Sequence, residues 1–163
     1  MAKPRKQNRL LVLAAMTLVI AAAIGAAFMF GKTSDVIAAG KVTLKQDLVS
    51  QAQGMRTLFL IVRDPSSPMP MPLGAMATTI SGDPSGTVLE FKLTKDNLRM
   101  MMNVDDRHPA KINVKARLDI DGLGGADSPG DIVGIAENLD WGSQGITIEL
   151  DQLVTADPEL QQP

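Results

Sequence analysis

A long apolar run near the N-terminus restricts this chain more than any other feature. From Leu10 to Gly31 there is no charged residue, and the segment is almost wholly apolar. A helix needs about 20 such residues to cross the hydrocarbon core of a bilayer. A cleaved secretory signal has a shorter apolar region of about 7–15 residues before small residues, whereas this run ends in Phe28-Met29-Phe30. The sequence therefore predicts one uncleaved transmembrane helix at residues 10–31.

The charges beside this segment predict its orientation. Lys32 is the only basic residue that follows closely, and Asp35 balances it, whereas four basic residues precede the segment, at Lys3, Arg5, Lys6 and Arg9. The positive-inside rule places the more basic end in the cytoplasm. We therefore expect a single-pass protein of the bacterial inner membrane, with a cytoplasmic tip (1–9), the membrane helix (10–31), a linker (32–41), a periplasmic domain (42–154) and a flexible tail (155–163).

Small residues recur along one face of the predicted membrane helix. Ala21 is followed four residues later by Gly25, and Ala22 by Ala26. Such pairs let a second membrane helix approach closely. Alanine is also simply tolerated in membrane anchors, so the sequence leaves open whether this face packs against another protein.

Beyond the apolar run, several stretches alternate between apolar and polar residues. The clearest is 111–121, where every second residue is apolar, as a strand with one buried face requires. The continuously apolar stretch 57–62 is typical of a central strand buried on both faces. Four prolines between Pro65 and Pro72 exclude a helix there. Further strands are predicted at 42–48, 73–80, 88–93, 131–139 and 145–150. About seven strands with little helix predict an all-β domain, an antiparallel sandwich of immunoglobulin-like or cupredoxin-like type.

Composition excludes several classes of function. The net charge is −2, and four of the cations belong to the predicted cytoplasmic tip, so the exported part is more acidic than the whole chain. A nucleic-acid-binding protein would need a basic face. The chain has no cysteine and one histidine, so it offers no disulfide, no thiolate metal site, no attached c-type haem and no nucleophile paired with a base. We expect no enzyme, no nucleic acid and no small-molecule substrate.

Two segments superficially resemble metal sites. His108 lies in a polar stretch with Asp105 and Asp106, but one histidine rarely holds a transition metal unaided. Counted from Asp119 as an EF-hand loop, the twelfth position is Gly130, where a bidentate glutamate is required. We therefore expect no metal and no cofactor.

Methionine is concentrated in the middle of the chain. Of ten methionines, six lie between Met69 and Met102, in Pro68-Met69-Pro70-Met71-Pro72, in Met100-Met101-Met102 and at Met76. Three successive side chains cannot all face one side of a strand or helix, so at least one is expected at the surface. Methionine suits packed cores and adaptable contact surfaces, which we favour. Thioether coordination of Cu(I) is the alternative.

The order of short motifs resembles a known family. The motifs are Thr57–Arg63, Pro70-Met71-Pro72-Leu73, Met100-Met101, Val114–Leu118 and Gly125–Gly134. Over residues 42–150 this series resembles the C-terminal periplasmic domain of the cytochrome c-type biogenesis protein CycH, the apocytochrome-holding subunit of the bacterial haem lyase complex. Members of that family also carry a second membrane helix and a helical-repeat region, whereas here we expect one membrane helix followed directly by the β domain.

The resemblance implies an interaction protein in cytochrome c biogenesis or in the assembly of a respiratory complex, with other membrane proteins as partners. An accessory subunit of a mature membrane redox enzyme is the alternative. The residues expected to contact the partner are Pro68, Met69, Pro70, Met71, Pro72, Met100, Met101, Met102, Ala126, Pro129, Gly130 and Asp131. Arg63 and Arg117 lie beside apolar strand residues, so we expect a structural role for them, anchoring loop carboxylates.

Overall fold

The structure, a computed structural model, describes residues 36–68, 71–101 and 108–155. The predicted transmembrane helix, with its small-residue face at Ala21, Ala22, Gly25 and Ala26, lies outside the described residues, as do Met69, Pro70 and Met102. Within the described residues, no helix is long and apolar enough to cross a membrane. All of these residues belong to one unit, Asp35–Pro163.

The described part of the chain is mostly β structure. A short 3-10 helix spans Gln46–Leu48, and the described residues form nine strands: β1 (Val36–Leu44), β2 (Thr57–Arg63), β3 (Gly74–Thr79), β4 (Thr87–Thr94), β5 (Arg99–Met100), β6 (Lys111–Asp119), β7 (Ile132–Asp140), β8 (Ser143–Leu150) and β9 (Gln152–Leu153). The prediction of an all-β domain is confirmed.

The described strands form two sheets. The small sheet has the order β4-β1-β8, and the large sheet has the order β5-β3-β2-β6-β7-β9. The strand pairs are antiparallel except for β1 and β8, which are parallel. The expectation of a purely antiparallel arrangement is wrong at that pair, because β8 follows β7 through a short turn but joins the other sheet, where it runs in the direction of β1.

Side-chain alternation on β2 and β6 shows which face of the large sheet packs into the core. Ile112, Val114, Ala116 and Leu118 of β6 are fully buried, as are Leu58, Leu60 and Val62 of β2. They join residues of the small sheet, such as Val42, Phe91 and Ile148, in one hydrophobic cluster. The intervening residues of β2 and β6 point to the opposite face of the large sheet, which we call its outer face.

Most strands agree with the prediction to within two residues, and the larger differences concern β1, β5 and β9. β1 begins at Val36, because Val36, Ile37 and Ala38 are buried although the following alanine and glycine have little preference for strands. Leu48 lies in the 3-10 helix rather than in the first strand. β5 and β9 each contain two residues, which is too short to show a periodic pattern in the sequence.

Candidate functional site

The outer face of the large sheet carries an apolar groove. Its floor consists of Phe59 and Ile61 from β2 and Ala75 and Ala77 from β3. In the antiparallel register Phe59 lies opposite Ala77, and Ile61 lies opposite Ala75. All four side chains therefore stand on the face that points away from the core, and the two alanines form the low part of the floor.

Two segments flank this floor. Pro72 and Met101 line the groove near the first residues of β3, and the backbone N–H of Met101 donates to the carbonyl of Leu73 at 2.9 Å. Gly124 and Gly125 line it from the loop between β6 and β7 (residues 120–131), which we call the β6–β7 loop. The groove has a volume of about 460 Å³, within the range of pockets that bind ligands or anchor side chains.

Arg117 of β6 holds the β6–β7 loop against the sheet. Its side chain is 1% exposed. One terminal nitrogen, Nη1, donates to the carbonyls of Gly125 and Ala126 at 2.9 and 2.8 Å, and Nη2 donates to the carbonyl of Leu123 at 3.0 Å. The guanidinium also lies 4.8 Å from the ring centroid of Phe59. The cation therefore fixes one flank of the groove and packs against its floor.

Three carboxylates surround the same guanidinium. Asp119 approaches Nη2 at 2.9 Å, Asp131 approaches Nε at 3.7 Å, and Asp127 approaches Nη1 at 3.7 Å. Asp127 also pairs with Lys115. Asp131 accepts hydrogen bonds from the backbone N–H groups of Ile120 at 3.1 Å and Ser128 at 2.8 Å. The prediction that Arg117 anchors loop carboxylates is confirmed.

Burial alters the proton affinity of the Asp119 carboxyl. Desolvation raises the pKa of its carboxyl above the ordinary 3.8, and a hydrogen bond with Asp121 acts in the same direction, whereas the charge of Arg117 opposes both. The folded chain therefore binds this proton more tightly than the unfolded chain does.

This pKa predicts a pH dependence of stability. The stability gained by protonating Asp119 is complete below pH 3.8 and is lost as the pH rises through the raised pKa. The wild type should therefore lose stability relative to Asp119→Asn, as measured by the difference between their free energies of unfolding, when the pH rises from 3.8 through the raised pKa of Asp119. Urea unfolding followed by circular dichroism at a series of pH values measures it. A difference that grows with pH would mean that the Arg117 pairing outweighs desolvation.

Two arginines give one end of the groove a positive charge. Arg99 of β5 pairs in register with Ala75, and Arg63 follows directly after Val62, the partner of Gly74. Both arginines line the groove and are exposed. Within residues 36–68, 71–101 and 108–155, neither forms a salt bridge, so the expected loop-anchoring role of Arg63 is not seen there. Arg117 is balanced by its carboxylates, whereas no carboxylate of the described residues lines the groove beside Arg63 and Arg99.

A second depression, of about 380 Å³, is lined by residues of β6, β7 and β9 and by Asp127 of the β6–β7 loop. Lys115 and Asp127 line it and pair with each other there. Its single cation is therefore already paired with a carboxylate of the protein, and Asp151 adds a second negative charge to its lining. The groove has the more apolar lining and is the better candidate for a binding site.

The structure brings together part of the predicted partner-binding set. Pro72 and Met101 line the groove, and Ala126 contributes its carbonyl to the anchored flank. Met100 packs against the core, and Asp131 is fully buried in the Arg117 cluster, so these two side chains are structural. The other described members do not line the groove: Pro68, Met71 and Pro129 are exposed, and Gly130 is half-buried.

The floor of the groove was missed at the level of sequence. Phe59 and Ile61 belong to the stretch 57–62, whose continuous apolar character predicts burial on both faces. In the sequence, an apolar strand residue that points away from the core looks the same as one that points into it. The apolar run at 57–62 therefore does not show that Phe59 and Ile61 form a groove. The positive end was missed because Arg63 and Arg99 are 36 positions apart in the chain and meet only through the pairing of β2, β3 and β5.

Among the described residues, no group of three or more His, Cys, Asp or Glu is placed to hold a metal ion. His108 is exposed and stacks on Trp141, with ring centroids 4.5 Å apart. Asp119 is engaged by Arg117 and by the backbone N–H of Gly122. His108 and Asp119 are thus both engaged by other groups of the protein.

Comparison with known proteins returns no match: no protein-family model, no curated protein and no solved structure matches this chain. The likeness to the CycH domain therefore rests on the order of short motifs alone.

Proposed function

We propose that this chain is a non-catalytic interaction protein, anchored in the bacterial inner membrane, whose periplasmic domain binds a partner protein through the groove. The finer architecture belongs to the same proposal: a sandwich of immunoglobulin-like or cupredoxin-like type, preceded by a transmembrane helix at residues 10–31. The observation that carries it is the groove itself, an apolar floor on an outer sheet face with Arg63 and Arg99 exposed at one end and no carboxylate of the described residues in its lining.

The side chains of the groove suit binding rather than catalysis. The floor is built from Phe59, Ile61, Ala75 and Ala77, which carry no group able to move a proton or attack a substrate. An apolar pocket edged by a few polar groups is the usual form of a binding site. The exposed Met101 at its edge has the flexible, polarisable side chain that is common on adaptable binding surfaces.

The proposed process is cytochrome c biogenesis or the assembly of a respiratory complex. Support comes from the motif order shared with the CycH domain and from the position of Pro72 and Met101, since both belong to motifs of that series and both line the groove. The expected partners are other membrane proteins, either factors that handle haem proteins or subunits of a respiratory complex.

Two alternatives remain to be separated by experiment. An accessory subunit of a mature membrane redox enzyme would use the same groove for a permanent contact. A copper chaperone would use the methionines, of which Met71 and Met101 are about half exposed while Met100 packs against the core. Cu(I) binding that disappears when Met69, Met71 and Met100–Met102 are replaced would establish the copper function, and unchanged or absent binding would exclude it.

The test of the proposed function is affinity purification of the tagged full chain from gently solubilised native membranes. Recovery of haem-handling membrane proteins together with unmatured cytochromes would support the assembly role. A mature haem- or copper-bearing enzyme at a fixed ratio would instead support the accessory-subunit role. Recovery of no stoichiometric protein would contradict both.

A further inference from the structure

We infer that the partner segment that occupies the groove is an acidic amphipathic α-helix. This inference rests on the proposed function, because it names the kind of polypeptide that the groove receives. Three features of the site lead to it: the absence of backbone hydrogen-bonding groups on the floor, the spacing of the floor residues, and the charge at one end.

The floor presents side chains only. Backbone N–H and C=O groups of a sheet lie in the plane of the sheet and point to neighbouring strands. β2 is paired along its length with β3 on one side and β6 on the other. Beyond Ala75 the far side of β3 pairs with no described strand, but the backbone groups there lie at the edge of the sheet and not on the floor. An extended peptide lying on this face would lose water from its own backbone without gaining partners, which is costly. A helix satisfies its backbone internally and avoids that cost.

The spacing of the floor residues matches a helix. Same-face residues of one strand are about 6.7 Å apart, since each residue advances about 3.3–3.4 Å. Phe59 and Ile61 have this spacing along β2, and Ala75 and Ala77 have it along β3. Residues i and i+4 of a helix are separated by a rise of about 6 Å. A helix lying along the two strands can therefore place successive apolar side chains over the low positions at Ala75 and Ala77, the arrangement used when a helix binds in an apolar groove.

The positive charge at one end of the groove determines which end of the bound helix is acidic. Arg63 and Arg99 lie at the same end of the groove, and no carboxylate of the described residues lines it. A guanidinium binds carboxylates through paired hydrogen bonds more readily than it binds neutral groups. The helix therefore carries Asp or Glu at the end that lies over these two arginines and apolar residues at i, i+3 or i+4 along the rest of its inner face.

Site-specific photo-crosslinking tests this assignment in native membranes. A photoreactive amino acid replaces Met101, on the edge of the groove, in the full chain. A matched control carries it at Thr147, which is exposed on the outer face of the small sheet. The covalent products are digested, and the linked segment is sequenced by mass spectrometry. We expect a product at Met101 but not at Thr147, and a linked segment with acidic residues and apolar residues at i, i+3 or i+4.

Replacing the two arginines at the positive end of the groove provides a second test. Arg63→Gln combined with Arg99→Gln should reduce the yield of the Met101 product about fivefold to tenfold, as the loss of two exposed ion pairs predicts. Lys41→Gln combined with Lys92→Gln removes two exposed cations from the small sheet and should leave the yield unchanged. An undiminished yield in the double arginine variant would contradict the requirement for an acidic partner.

The outcomes separate this inference from the proposed function. A linked segment without acidic residues or without helical spacing, a lipid acyl chain, or a second copy of this chain would overturn the inference. So would the lack of any product at Met101 while stoichiometric partners are still recovered by purification, because the partner would then bind elsewhere. If purification itself recovers no partner, the proposed function fails first.

Discussion

Replacement of Arg117 by methionine is expected to lower the free energy of unfolding by about 3–5 kcal/mol, the range for breaking a buried ion pair by removing one partner. The substitution leaves the fully buried carboxylates of Asp119 and Asp131 without their counter-ion. It also leaves the three loop carbonyls that Arg117 binds without their donor. Urea unfolding followed by circular dichroism measures the change.

Lys115→Met is the matched control for Arg117→Met. It also removes a cation of β6 that pairs with Asp127, but the two partners of that pair are 20% and 24% exposed. Water compensates such a loss, so we expect a change of about 1 kcal/mol. Equal effects of the two substitutions would show that the buried cluster does not fix the β6–β7 loop more strongly than an ordinary surface pair does.

Replacement of Gly134 by alanine is the second substitution with a large expected effect. A Cβ atom at this position of β7 would lie 1.9 Å from the backbone carbonyl oxygen of Glu149 in β8. No side-chain rotation can relieve a clash with backbone, so β7 and β8 must move apart at the boundary between the two sheets. Overpacking of this kind typically costs 1–3 kcal/mol and occasionally more, and we expect a loss of about 3 kcal/mol, measured by thermal or urea unfolding.

Gly124→Ala separates this clash from a general effect of removing glycine. Gly124 lies in the β6–β7 loop, and its added Cβ would meet Phe59 at 4.0 Å, an ordinary contact distance. The expected change is within about 0.5 kcal/mol, as for most surface substitutions. A Gly134→Ala protein as stable as Gly124→Ala would mean that β7 and β8 approach less closely than described.

Most of the strands could be predicted from sequence because their side-chain pattern is local. The alternation at residues 111–119 predicts β6 with its buried face, since the core takes every second residue. β5 and β9 could not be predicted, because a strand of two residues has no period and exists only through its pairing with β3 or β7. The parallel pairing of β1 with β8 depends on which sheet β8 joins, which no local pattern encodes.

The candidate site was predictable only in its flanks. Proline and methionine at positions 72 and 101 point to a contact surface by their residue types alone. The floor shows no such signal, since Phe59 and Ile61 have the same character as the core residues between which they lie. The role of Arg117, in contrast, could be predicted, because a charged residue in an apolar strand needs a partner inside the protein. In the structure its partners are carboxylates and carbonyls of the β6–β7 loop and the carboxylate of Asp119 just before it.

The most direct test of the central claim, that this groove binds a partner protein, is the recovery of partners with an Ala77→Trp chain from native membranes. Ala77 is exposed and forms a low part of the floor, so tryptophan fills the groove without entering the core. Thr147→Trp adds a similar bulk to an exposed strand position on the small sheet, and far-ultraviolet circular dichroism of both variants verifies that they fold. We predict that Ala77→Trp lowers partner recovery at least tenfold while Thr147→Trp recovers as much as the wild type. Equal recovery with the folded Ala77→Trp chain would contradict the claim.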